Sequence, residues 1–284
     1  MTLPRLTIIT PSLNQAQYLE RALRSVLDLG YPDLEYIVMD GGSTDGSVDI
    51  LERYDSRLAH WQSEPDEGQS WAINRAIERS TGDVIAYINS DDYYLPGAFD
   101  AALPYFEDAD VRWVAGACEY LNDDGTVETV WRPKSPRGPR PRWVREIWYA
   151  PQASSFWRRD AFDDLGLLRE DLHFVFDAEF GLRLALAGVS PRIIEDTLAV
   201  RFLHDEAKSA DGERFMVEYA AVAQELDKTL AWWEHALDAV LFFLLRAWRA
   251  LNPLRLQYRL RKKLGLLDLR ERWFGAPPRA TDKD

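Results

Sequence analysis

The chain has 284 residues and a mass of 32.7 kDa, with 46% hydrophobic and 29% charged residues, a globular composition that excludes a disordered or collagen-like chain. The net charge of −13 is uneven: residues 240–284 carry +7, from eleven Lys or Arg against four acids, and residues 1–239 carry −20. The acidic body argues against nucleic-acid binding, the basic tail points to an anionic surface, and the single cysteine, Cys118, excludes an internal disulfide or a four-cysteine zinc site.

The first 120 residues alternate strand and helix signals. Leu6 to Thr10 is a β-rich run ended by Pro11, and Leu19, Leu23, Val26 and Leu27 then recur at helical spacing up to Gly30. Leu34 to Met39 reads as a second strand, Asp40 to Gly46 as a loop, and Ser47 to Tyr54 as a helix. His60 to Gln62 reads as a short strand, Trp71 to Ser80 as a helix, and Val84 to Ile88 as a buried strand that stops at Asn89-Ser90-Asp91-Asp92. Such alternation predicts a largely parallel sheet with helices on both faces, a Rossmann-like arrangement. Ligands then bind beyond the carboxyl ends of the strands, where the polar clusters after strands one, two and four all fall. Val111 to Tyr120 and Val127 to Trp131 read as two more strands.

Residues 132–142 hold four prolines and five basic residues without an acid, which reads as a solvated loop or a flap that binds an acceptor's phosphate. From Phe215 to Leu251 apolar residues recur at steps of three and four, a long amphipathic helical stretch stopped by Asn252-Pro253. The longest apolar run, Ala239 to Leu245, is too short to span a membrane, and Leu6 to Ile9 is too short for a signal-peptide core. The expected location is therefore cytoplasmic. Trp232, Trp233, Phe242, Phe243, Trp248 and Trp273 interleave with arginines, so the tail is expected either to lie peripherally on the inner face of an anionic membrane or to pack on the body or a second subunit as a homodimer.

Two clusters carry chemistry. Adjacent carboxylates in Asn89-Ser90-Asp91-Asp92 repel one another, and a cation with oxygen ligands, Mg²⁺ or Mn²⁺ on substrate phosphates, is one reason to place them together. A helix cap or Asx turn before Pro96 is the other. In Asp40-Gly41-Gly42-Ser43-Thr44-Asp45-Gly46 a strand-end carboxylate can accept hydrogen bonds from a ribose or base, and the glycines allow close backbone approach; the alternative is an ordinary loop. No G-x-G-x-x-G follows either early strand.

Thr10-Pro11-Ser12-Leu13-Asn14, "VMDGGSTDGS" at 38–47, "EPDEGQSWAINRAI" at 64–77 and "GDVIAYINSDDYYLPGA" at 82–98 stand in the order and spacing of one family. The chain resembles family 2 glycosyltransferases, and "APQASSFWRRDAFDDLGLLREDLHFVFDAEFGLRLALAG" at 150–188 resembles their acceptor-side segment. The resemblance implies a GT-A fold over residues 1–210, with a nucleotide-sugar half at 1–120 and an acceptor half at 121–210, followed by a helical basic extension at 211–284. It implies inverting transfer of a sugar from a nucleoside diphosphate sugar, UDP- or dTDP-linked by family habit, to a hydroxyl acceptor. Polysaccharide, cell-wall or glycolipid assembly is the implied setting, and a lipid-linked acceptor would account for the tail.

By position the resemblance makes Asp91 a metal ligand supported by Asp92, with Mn²⁺ or Mg²⁺ as cofactor, and Asp177 the general base. It places Pro11, Ser12, Asn14, Asp40, Gly42, Asp66, Gly68, Gln69, Asn74, Arg75, Asn89, Ser90 and Asp92 on the nucleotide sugar. In "RFLHDEAKS", His204 is a candidate second metal ligand and Lys208 a candidate diphosphate cation; structural readings are a core histidine and, for Asp177, a helix cap. Trp71 and Trp148 are candidates for stacking on a sugar ring. The sequence departs from the family at Gly41 and Asn89, where Asp is usual, and at Phe176, where Glu often precedes the base. Two rival functions follow: a non-catalytic nucleotide-sugar scaffold or sensor, which has no need of a base, and a nucleotidyltransferase, which wants a Gly-rich phosphate loop that Thr10 to Asn14 does not supply.

Overall fold

The computed structural model describes residues 3–134, 150–204, 208, 212–228, 231, 232, 236 and 240. The chain divides into two compact units, Met1–Thr229 and Leu230–Asp284. The basic tail beyond residue 240, Trp148, Tyr149 and most of the basic loop lie outside the described residues.

The first unit is built on a nine-stranded sheet. Its parallel half comprises β1 (Leu6–Ser12), β2 (Leu34–Asp40), β3 (His60–Ser63) and β4 (Val84–Tyr87) in the order β3-β2-β1-β4. The connecting helices are α1 (Ala16–Leu27), α2 (Ser47–Tyr54) and α3 (Gln69–Arg79). Every residue of β1 is buried, as expected of a strand covered on both faces. Leu6 and Ile8 share one core with Leu19, Leu23 and Val26 of α1, Ile50 and Leu51 of α2, and Val84, Ala86 and Ile88. Ile73 and Ile77 of α3 are buried outside that cluster, as the two-residue period of the strands requires.

β4 then meets β8 (Ser155–Arg158) antiparallel, and the sheet continues through β6 (Trp113–Asn122) and β9 (Arg192–Leu203) to β5 (Tyr93–Tyr94). β7 (Val127–Trp131) pairs with β6 at the side. The short α4 (Ala98–Ala102) belongs to the first core. α5 (Asp160–Leu165) and α6 (Phe176–Leu186) meet through Phe162 and Phe180, stacked at 4.6 Å, with Trp157 against Phe180 at 6.1 Å. This mixed α/β architecture, a curled and mostly parallel sheet flanked by helices, is the GT-A type that the motifs led us to expect.

The expected strands and helices of the first 120 residues are present within a few residues of their expected bounds. The long stretch from Phe215 begins inside α7 (Gly212–Asp227), which belongs to the first unit. Glu218 on α7 accepts bonds from the amides of His173, Phe174 and Val175, and Arg169 pairs with Glu225 at 2.9 Å. These bonds anchor the segment that leads into α6.

Candidate active site

Two cavities open at the carboxyl ends of β1 and β4. The smaller, of about 370 Å³, is lined in part by Pro11, Ser12, Asp66, Gly68, Gln69, Asn89, Ser90, Asp91, Asp92 and Lys208. These ten come from four separated segments of the sequence and were all expected at the nucleotide sugar or the metal. The larger, of about 760 Å³, is lined by Asp177 and by Tyr87, Tyr120, Trp131, Phe174 and Phe176 among others. Gln69, Asn89, Asp92, Arg201 and Lys208 line both and form the shared wall.

Asp91 Oδ2 stands 3.0 Å from His204 Nε2, and the two side chains are 19% and 3% exposed. His204 is held between rings, 4.8 Å from Tyr18 and 5.7 Å from Phe202. Arg21 fixes the backbone below by donating to Asp91 O at 3.0 Å, and it stacks over Tyr93 and Phe202. Among the described residues no group of three or more His, Cys, Asp or Glu side chains assembles as a metal site. A cation here would rest on two protein ligands and complete its shell with diphosphate oxygens and water, which fits the habit of Mg²⁺ and Mn²⁺.

Asp92 turns away from this pair. Its oxygens accept bonds from the Phe202 amide at 3.0 Å and from Asn89 Nδ2 at 3.2 Å. Burial, and then the charge of Asp91, push the Asp92 carboxyl up from the usual carboxylate range, against the pull of Arg201. Asn89 also accepts from Gln69 Nε2 at 2.7 Å, and Lys208 Nζ donates to Gln69 Oε1 at 3.2 Å. The departure at Asn89 has a physical reason. An amide accepts from Gln69 and donates to Asp92 at once, whereas a carboxylate would add a third charge and could not donate.

Asp177 lies in the first turn of α6, where a carboxylate is favoured by the helix dipole. The capping position is Val175, and the amides ahead of the helix are satisfied by Glu218, so Asp177 is not the helix cap. Its Oδ1 accepts the next amide, Ala178, at 2.7 Å. Burial raises its pKa, against the Ala178 bond and the charges of Arg201 and Lys208. Phe176 has a use too: Lys208 Nζ lies over its ring at 5.6 Å and over Phe174 at 5.8 Å.

The remaining expected residues lie outside the lining of both cavities. Asp40 is 2% exposed and accepts from the amides of Gly42 and Ser43 and from the hydroxyls of Ser43 and Ser63. Gly42 has φ +85°, and a Cβ there would stand 3.2 Å from Pro65 N. Asn14 accepts from the Thr44 amide at 2.9 Å and so ties the loop after β1 to the loop after β2. Asn74 bonds both the N–H and the C=O of Leu168, at 3.0 and 2.8 Å, and Arg75 pairs with Glu78 and Glu170. Trp71 carries the Arg75 guanidinium on its face at 5.5 Å.

Sequence reading missed Arg201 and Tyr87. Arg201 stands on the shared wall, held charged by Asp92, Tyr120 and Asp177 against the cost of burial. Both stand next to expected site residues, Tyr87 two positions before Asn89 and Arg201 three before His204, which is the only local signal that could have found them.

A family model described as "Glycosyl transferase family 2" matches residues 7–166, more than half of the chain. The chain belongs to glycosyl transferase family 2. This family 2 chain is 32% identical over 196 residues to an uncharacterized glycosyltransferase of Mycobacterium tuberculosis (strain ATCC 25618 / H37Rv), covering 64% of the chain and 70% of the relative. It is 33% identical over 126 residues to the Bacillus subtilis (strain 168) glycosyltransferase TuaG, named for teichuronic acid biosynthesis. That match covers 43% of the chain and half the length of the relative. Among solved structures, S. aureus TarS 1-349 in complex with UDP-GlcNAc is similar with a TM-score of 0.63 at 18% identity, covering 94% of this chain and 77% of that one. The mannosyltransferase PcManGT from Pyrobaculum calidifontis, in complex with GDP-Man and Mn2+, is similar with a TM-score of 0.57 at 17% identity, covering 97% and 89%. At these identities the structural likeness supports the fold alone.

Proposed function

We propose that the protein is an inverting, metal-dependent glycosyltransferase that moves a sugar from a nucleoside diphosphate sugar, UDP- or dTDP-linked, to a hydroxyl acceptor. The observation that carries this reading is the pair of cavities with a common wall. One is lined by Asp91, which pairs with His204; the other is lined by Asp177, whose carboxyl burial pushes up from its usual value, the direction that suits a general base. A scaffold has no use for the second feature.

Asp91 and His204 would hold Mn²⁺ or Mg²⁺, which supplies Lewis-acid charge to the departing diphosphate. Lys208 and Arg201 add positive charge on the shared wall. Pro11, Ser12, Asp66, Gly68, Gln69, Asn89, Ser90 and Asp92 shape the donor cavity. Asp40, Gly42 and Asn14 hold its loops, while Asn74 and Arg75 brace α3. Asp177 takes the proton of the acceptor hydroxyl as its oxygen bonds the anomeric carbon. The bond from that carbon to the diphosphate breaks on the opposite face, and the diphosphate leaves with the electron pair.

TuaG, named for teichuronic acid biosynthesis, favours cell-wall polysaccharide as the setting. No described helix is long and apolar enough to cross a membrane. The +7 tail at 240–284 would hold the enzyme peripherally on the inner face of an anionic membrane, where a lipid-linked acceptor is met.

The test is nucleoside diphosphate release from UDP-, dTDP- and GDP-sugars with and without Mn²⁺, in wild type and Asp91→Ala. Metal-stimulated release that the variant loses is expected; release unchanged in Asp91→Ala refutes the assignment.

A further inference from the structure

Glu218 lies on α7, beyond the residues 7–166 that the family model matches, and the proposed chemistry gives it no role. Its Oε1 accepts the His173 amide at 2.7 Å, and its Oε2 accepts the amides of Phe174 and Val175 at 2.5 and 2.9 Å. These are consecutive N–H groups at the entry to α6, whose first turn carries Asp177. Free donors at a helix start are ordinarily met by a Ser, Thr, Asn or Asp at the capping position. Here that position is Val175, whose side chain has no oxygen, and the acceptor comes from a residue 43 positions further along the chain.

The segment that Glu218 holds is a wall of the larger cavity. His173, Phe174, Phe176 and Asp177 line it, and so does Phe215, one turn before Glu218 on α7. Lys208 Nζ rests over the rings of Phe174 and Phe176, so a shift of this segment would move that cation as well as the carboxylate. The bond that Asp177 accepts from the Ala178 amide lies within its own helix and does not fix that helix to its surroundings. Phe180 packs the following turn on Phe162 and Trp157, which leaves the placement of the first turn to the segment ahead of it. Resting on the reading of Asp177 as the base, we propose that Glu218 is its positioning residue: from α7 it pins the entry to α6 and so sets where the Asp177 carboxylate stands in the larger cavity. A reacting group misplaced by about 1 Å can lose about 10²-fold in rate, so a distant carboxylate that fixes this entry governs turnover without touching substrate.

The test compares Glu218→Ala and Glu218→Gln with Glu225→Ala, which breaks the other tie of α7, its 2.9 Å pair with Arg169. Nucleoside diphosphate release is measured with Mn²⁺ and whichever of the UDP-, dTDP- and GDP-sugars wild type turns over. The Asp177 carboxyl is titrated by carbon NMR, its signal assigned by its loss in Asp177→Asn. In Glu218→Ala, kcat should fall about 10- to 100-fold with donor KM within about twofold of wild type. The Asp177 carboxyl, opened to water, should titrate lower than in wild type, where burial raises it. The groups that face Asp177, Arg201 of β9, Lys208 and the Tyr87 phenol of β4, are the same in every variant. Glu218→Gln removes the same charge but keeps an oxygen for the amides, so both changes should be smaller, and it serves alone if the alanine variant does not fold. Glu225→Ala should keep the wild-type kcat and titration. A wild-type kcat with an unmoved Asp177 titration in the Glu218 variants overturns the proposal, as do equal losses in Glu225→Ala. Absence of turnover in wild type refutes the glycosyl-transfer reading, while the titration still judges Glu218.

Discussion

Asp177→Asn separates the base from a structural carboxylate, because the two roles predict opposite effects on stability. The asparagine keeps the shape and can still accept the Ala178 amide that Asp177 Oδ1 accepts at 2.7 Å. It cannot take a proton. General-base catalysis contributes about 10²–10⁴-fold, so turnover should fall by that factor, roughly 2.7–5.4 kcal/mol on the barrier. The stability effect follows from linkage. Burial raises the Asp177 pKa in the fold, so between its unfolded and folded values the native state binds the extra proton, and stability declines as pH rises through that window. At neutral pH the ionised carboxylate therefore costs stability, and the neutral amide relieves the cost. The melting temperature of Asp177→Asn should equal or exceed that of wild type. The acid limb of the wild-type kcat/KM profile should titrate above the ordinary aspartate value of about 3.9 and vanish in the variant. The assay is nucleoside diphosphate release at saturating donor, alongside thermal melts at pH 7. A variant that melts several degrees lower with turnover within a few-fold of wild type would refute the reasoning and make Asp177 a structural residue.

Three further outcomes are expected. Asn74→Ala strands the buried N–H and C=O of Leu168, which should cost about 2–4 kcal/mol in urea melts while the affinity for UDP with Mn²⁺ stays constant; a selective loss of UDP affinity would return Asn74 to the donor site. Glu35 accepts from Thr7 Oγ1 and from both the amide and hydroxyl of Thr81. Burial pushes its carboxyl up, and those bonds with Arg5 outweigh it and leave it below its usual value. Its contribution is then full above the unfolded pKa and lost as pH falls through the folded one, so Glu35→Gln should lose about 1–3 kcal/mol near neutral pH and close the gap to wild type in acid; a pH-independent gap contradicts this. The 284-residue chain should float with anionic vesicles at low salt and a chain ending near residue 238 should not; failure of the 284-residue chain to float rules out the interfacial tail.

Much of the first 120 residues was legible in the sequence because the signals there are local. An uninterrupted apolar strand such as Val84 to Ile88, ended by a polar cluster, announces both a covered strand and the sheet edge where ligands gather. In a parallel sheet all such ends fall on one edge, so Ser12, Gln69 and Asp91 meet without further information. The rest of the sheet was not legible in this way. β8 and β9 have four and twelve residues, and pairing with partners far along the chain selects them more than local pattern does. The side-chain roles of Asp40 and Asn74 were equally hidden, since a polar residue in a motif looks the same whether its bonds go to a ligand or to the neighbouring loop. Only the tertiary structure decided that Asn89 links Gln69 to Asp92, that Arg201 stands between two carboxylates, and that Tyr87 is left without a partner. Each of these depends on burial and on side-chain contacts made by the folded chain, or on the absence of one, and neither quantity is written in the local order of amino acids.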